Sequence, residues 1–96
     1  MPGGYVYILT NRKHGALYTG VCADIRQRMM QHKVGTGSKF CAKHGIDKLV
    51  HAEPHEEIIA AIEREKAVKK WNRAWKIELI ERDNPDWRDL WFDLNR

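Results

Sequence analysis

Tyr5-Val6-Tyr7-Ile8-Leu9-Thr10 and Ala16-Leu17-Tyr18-Thr19-Gly20-Val21, joined by the polar, glycine-ended segment Asn11 to Gly15, are the stretch that decides the fold. Both runs are rich in β-branched and aromatic residues, and two such runs around a short polar linker read as a β-hairpin. Alternation puts Tyr5, Tyr7 and Leu9 on one face of the first strand and Val6, Ile8 and Thr10 on the other. Tyr7 and Tyr18 then sit on neighbouring strands at positions able to project to one face.

Working outward, Asp24 followed by Gln27 has the spacing of a capping box and predicts a helix from about Ile25 to about Lys33. Val34 to Gly45 contains three glycines and no strong period, and reads as a basic loop. Lys48 to Glu53 is a short third strand ended by Pro54, and Glu56 to about Trp71 has helical spacing, with a further helical stretch to about Arg82. Asn84-Pro85 is an N-cap and N1 pair, and Trp87, Leu90, Trp91 and Leu94 follow at the spacing of a short closing helix whose tryptophans belong to the core. The expected fold class is α+β, one domain over residues 1–96, a three-stranded antiparallel sheet flanked by helices in the order β-β-α-β-α-α.

Charge divides unevenly. The net +4 combines eight basic and two acidic side chains in residues 1–50 with nine basic and eleven acidic in residues 51–96. Basic segments run from Arg12 to Lys48 and from Arg64 to Lys76, and together they would make a positive face able to engage phosphates. The chain has room for one domain only, with no apolar run near the ~20 residues that cross a bilayer. Met1-Pro2-Gly3-Gly4 carries no secretion signal and the two cysteines suit a reduced compartment, so a cytoplasmic location and no membrane partner are expected.

The informative residues are charged ones on apolar faces. Advancing about 100° per residue from Ile58, Glu65 falls inside the stripe of Ile58, Ala61, Ile62 and Val68, while Glu63 points away. The same geometry from Ile25 turns Arg28 and His32 inward with Met29. Charges at a core rim need partners. Arg28 and Glu65 could pair with each other. Alternatively, with Tyr7 and Tyr18, they could form a phosphodiester-hydrolysing set: carboxylate for a hard cation, guanidinium for phosphate oxygens, phenol to orient water.

Tyr5-Val6-Tyr7, ten intervening residues, Tyr18-Thr19-Gly20, Arg28 in the next helix and Glu65 in a later one resemble the GIY-YIG nuclease domain. Leu17 to Val21, Gln31-His32, Arg64-Glu65, Lys69-Lys70-Trp71 and Asn84-Pro85 look more narrowly like its small stand-alone bacterial members of the UPF0213/URI-domain type. The resemblance implies a divalent-metal-dependent endonuclease, a hydrolase of DNA phosphodiester bonds in repair or processing. Tyr18 would orient the attacking water with help from Tyr7, Arg28 would steady the phosphate charge, and His32 would touch substrate. Glu65 would hold one Mg²⁺ (or Mn²⁺). Lys33, Lys39, Lys69, Lys70, Arg73 and Lys76 would guide the strand, and a homodimer or protein partner would supply specificity. Thr19 stands where the motif has isoleucine or valine.

The rival expectation is a non-catalytic nucleic-acid-binding module using the same basic face, and a third is a protein-interaction domain using the Trp-rich C-terminus. Gly35-Thr36-Gly37-Ser38-Lys39 follows a helix rather than a strand and so is no nucleotide loop. Cys22, Cys41 and His44 lack the paired spacing of a zinc site.

Overall fold

A computed structural model describes residues 2–94. The first strand, β1 (Gly4–Thr10), lies at the centre of a three-stranded antiparallel sheet between β2 (Leu17–Cys22) and β3 (Lys48–His55). Central placement explains its composition: from Val6 to Thr10 every residue is buried, as a strand covered on both faces requires. Tyr7 and Leu9 face one layer with Ile25 and Met29 of α1 (Ile25–Lys33), Cys41 of α2 (Lys39–His44), Ile46 and Leu49. Ile8 faces the other layer with Val68 of α3 (Ile58–Lys70), Leu79 and Ile80 of α4 (Arg73–Asp83), Val50 and Trp87.

The hairpin and α1 lie where the sequence places them, and Asp24 caps α1 by accepting from the Gln27 amide at 3.1 Å. Elsewhere the structure departs from expectation. Val34 to Gly45 is not all loop: Ser38 accepts from the Cys41 amide, and Gly45, at φ 65°, closes a six-residue helix, α2. A helix this short has too few turns for its period to register. Pro54 does not end β3 but pairs with Tyr5, because β3 is an edge strand and proline costs no ladder bond there. A one-residue register shift beside Ile8 and Leu9 leaves Val50 without a paired residue between Leu49, opposite Leu9, and His51, opposite Ile8.

The closing helix is shorter than expected. α5 covers Trp91–Leu94 only, and Asn84 ends α4 instead of starting a helix. Its buried amide donates to the Val50 carbonyl at 3.1 Å and the Arg88 carbonyl at 2.9 Å, while its oxygen accepts from the Arg88 amide. Trp87 takes φ 57°, off any helix, yet its ring is core as expected. The segment beyond it covers the β3 edge, with Leu90 donating to Leu49 and Asp89 accepting from the Leu49 amide. Such cover removes an exposed pairing edge.

On the α3 side of β3, His51, Glu53 and His55 share one face. Glu53 accepts from His51 at 3.0 Å, His55 at 2.9 Å and Arg64 at 2.8 Å, and Arg64 lies 4.9 Å over the Trp71 ring. Burial alone would raise the Glu53 carboxyl, but the hydrogen bonds from His51, Arg64 and His55 outweigh it and hold it at about 2. A carboxyl depressed by folding stabilises the fold fully above its unfolded value and loses that contribution as pH falls through the folded value. Glu53→Gln should therefore be less stable than the parent at pH 7 in urea denaturation, with the difference shrinking from about pH 4.5 down to about pH 2.

Candidate functional site

The site grows from one close approach. Tyr7 pairs directly with Gly20, and a Cβ at Gly20 would lie 2.5 Å from the Tyr7 hydroxyl. Glycine at that position lets the tyrosine ring cross the neighbouring strand. The hydroxyl so placed accepts from Arg28 Nη1 at 3.2 Å and lies 3.2 Å from His32 Nε2. Arg28 and His32, one turn apart on α1, are aimed there by Ile25 and Met29 packing into the core beside them. Arg28 also donates to the Val21 carbonyl at 3.4 Å. Tyr18, diagonal to Tyr7 on the same sheet face, sets its ring edge-on to His32 at 6.0 Å.

Tyr7 accepts from Arg28 and shares a second hydrogen bond with His32 Nε2, whose direction follows the imidazole tautomer. Burial pushes the Tyr7 hydroxyl up to about 12 against the opposing pull of Arg28, so the phenol keeps its proton. Burial, then the Arg28 charge, lowers His32. Its Nδ1 is buried without a hydrogen-bond partner among the described residues, and Gly37 lies against it so closely that a Cβ there would stand 2.8 Å away. Sequence reading set the Gly35 to Lys39 segment aside as a phosphate loop and missed this packing role, which no local pattern signals.

Tyr7, Tyr18, Arg28 and His32 are thus brought together, and Glu65 is not joined to them by any hydrogen bond. Glu65 is buried on α3, in the opposite layer, and its carboxylate is paired with Lys69 at 2.9 Å. No Arg28–Glu65 ion pair forms among the described residues, and the Lys69 partner of Glu65 lies within electrostatic reach of Tyr18. The apolar stripe of α3 is also turned from the expected centre: Ala61, Glu65 and Val68 are buried while Ile58 and Ile62 stand at the exposed margin.

Among the described residues no group of three or more His, Cys, Asp or Glu side chains could hold a metal ion. A lone carboxylate already neutralised by lysine is a poor fit for a hard divalent cation, which takes several oxygen ligands. The expected Mg²⁺ or Mn²⁺ ion at Glu65 is therefore corrected, and with it the metal-dependent hydrolase that needed it.

The strand-guiding set changes as well. Lys33 is committed to Asp89 and ties α1 to the C-terminal segment. Arg73 Nη2 donates to the His14 and Gly15 carbonyls, both at 2.7 Å, bracing the hairpin turn from α4. Lys76 donates to the Lys69 carbonyl near the end of α3. Lys39 and Lys70 are exposed and form no ion pair among the described residues, and Lys69 is exposed but shared with Glu65.

The profile described as the GIY-YIG catalytic domain matches residues 3–78. The chain belongs to the GIY-YIG family. Within it, the chain is 37% identical over 87 residues to a UPF0213 protein of Syntrophus aciditrophicus, covering 90% of this chain and 98% of the relative. A UPF0213 protein of Natronomonas pharaonis is 34% identical over 76 residues, covering 79% and 88% respectively. The solution structure of a UPF0213 protein from Bacillus halodurans superposes with a TM-score of 0.56 at 30% identity, covering 90% of each chain. These relatives' names carry no activity. Together with the missing ligand set, that overturns the expectation of a nuclease acting in DNA repair or processing.

Two outcomes test the site's chemistry. His32 should titrate below 6.5 by NMR, so that it is neutral at pH 7 and its protonation destabilises the fold as pH falls; Arg28→Ala should move that midpoint upward. Thr19, at the isoleucine or valine position of the family motif, is buried with its hydroxyl unpartnered among the described residues. Thr19→Val should raise stability by about 1 kcal/mol in urea denaturation.

Proposed function

We propose that the protein is a non-catalytic nucleic-acid-binding module whose phosphate contact is Arg28, held in the Tyr7–Tyr18–His32 cluster. The observation that carries this reading is the guanidinium itself. It is half-buried at the edge of the sheet, steered by a tyrosine hydroxyl and a backbone carbonyl, and no carboxylate pairs with it among the described residues. Both of its partners are neutral, so its charge remains available to an anion, and a fixed guanidinium suits phosphate oxygens. Burial opposes the Arg28 charge, but the Tyr7 hydrogen bond together with the coulombic pull of Tyr7, Cys22 and Tyr18 outweighs it and raises the pKa of the group.

Exposed Lys39 and Lys70 would add non-specific attraction at the flanks, whereas Lys33, Arg73 and Lys76 serve the fold. No described helix is long and apolar enough to cross a membrane, and the basic surface suits a polyanion. Membership of the GIY-YIG family supports nucleic acid as that polyanion, DNA being the first substrate to try.

Fluorescence anisotropy with labelled single-stranded and duplex DNA across a salt series tests the reading. The parent should bind with steep salt dependence. Arg28→Ala should weaken binding and lower the slope of log affinity against log salt by about 0.7 to 0.9, one phosphate contact. Arg73→Ala should leave that slope in place and lower thermal stability. Salt-insensitive binding, or an Arg28→Ala protein that binds as the parent does, would sink the proposal.

A further inference from the structure

Between Asp24 and Asp47 the chain carries Arg26, Arg28, Lys33, Lys39 and Lys43 and not one carboxylate. The helix α2 stands in this stretch. Its inner side is anchored by buried Cys41, and its ends are fixed by the Ser38 cap and the left-handed Gly45. Its outer side presents Phe40, 55% exposed, with the ring 4.6 Å from that of His44 and inclined at 50°. Lys39 and Lys43 are likewise one turn apart, so a ring pair and a lysine pair run side by side along the same helix.

A single exposed phenylalanine is ordinary on a protein surface. Here the ring is steadied by a second ring, set on a capped helix and flanked by two cations, a combination that suits the flat face of a nucleobase with its phosphates alongside. The platform is also continuous with the site. Gly37 lies against His32, and Phe40 follows three residues later, at most about 11 Å of chain away. A strand reaching both would place a phosphate at Arg28 and a base at Phe40.

We propose that Phe40, backed by His44 and flanked by Lys39 and Lys43, is a stacking platform for an unpaired nucleobase, giving the module a preference for single-stranded over duplex nucleic acid. This rests on the nucleic-acid-binding reading above and names the substrate class for it. Stacking needs an unpaired base, because in a duplex both faces are already covered, while every base offers a π-face, so the preference is for strandedness and not sequence.

The test compares the parent with Phe40→Ala and Phe40→Trp on a labelled oligothymidylate and on a duplex with the same number of phosphates. Phe40→Ala should lose about 5- to 150-fold in single-strand affinity, keep its duplex affinity and keep its salt slope. Phe40→Trp should bind the single strand at least as well as the parent. A 2-aminopurine placed in the oligothymidylate should be quenched by the parent and not by Phe40→Ala. Equal losses on both substrates, or no loss on either, would refute the platform while leaving the Arg28 contact standing. A parent that binds neither oligonucleotide would refute the module and the platform together.

Discussion

A tyrosine hydroxyl inside a small core must find partners, and the arrangement around Tyr7 follows from that requirement. Leaving such a group unpaired costs roughly 1–3 kcal/mol. The solution here is a chain in which Arg28 donates to Tyr7 and Tyr7 hydrogen-bonds to His32 Nε2. The chain demands that α1 cross the sheet with both residues facing down, and Ile25 and Met29 hold it in that position. It demands a strand neighbour without a side chain, which is Gly20, and it leaves the far edge of His32 to be covered by Gly37. Four segments distant in sequence are thereby set by one hydroxyl, and the arginine that completes the chain keeps an uncompensated charge at the surface.

What could be read in advance was whatever depends on neighbours in sequence. The hairpin, α1 with its Asp24 cap, and the inward turn of Arg28 and His32 all rest on alternation, a cap and a helical period, and the structure matches them. The departures arise where distant contacts decide. Asn84 looks like a helix start, yet its side chain serves β3 and the Arg88 backbone more fully than it could serve a helix N-terminus. Pro54 looks like a strand end only until β3 is known to lie at the edge. The α2 helix spans six residues whose caps, not their hydrophobic period, define it.

Glu65 shows how a correct burial can accompany a wrong metal assignment. The helical period places it inside, and it is inside. Period alone says nothing about which side of the sheet the helix occupies, and α3 packs on the face opposite α1. The carboxylate then meets Lys69 on its own helix, an i, i+4 pair with a buried carboxylate and an exposed ammonium, and not Arg28.

The basic residues divide by the same logic. Those whose reach ends on a backbone carbonyl or an internal carboxylate became fasteners: Lys33 to Asp89, Arg73 to the hairpin turn, Lys76 to α3, Arg64 to Glu53. Lys33 and Arg64 are neutralised by their carboxylates, whereas Arg73 and Lys76, bonded to neutral carbonyls, are held in place but keep their charge. From Arg28 through the Gly37 turn to Lys39 and Lys43 the chain carries basic residues with no carboxylate among them. The net charge of +4 hides an uneven distribution along the chain, with two acidic residues in residues 1–50 and eleven in residues 51–96. The α1–α2 side of the sheet holds a half-buried guanidinium that no carboxylate pairs with among the described residues, together with the exposed ring pair of Phe40 and His44.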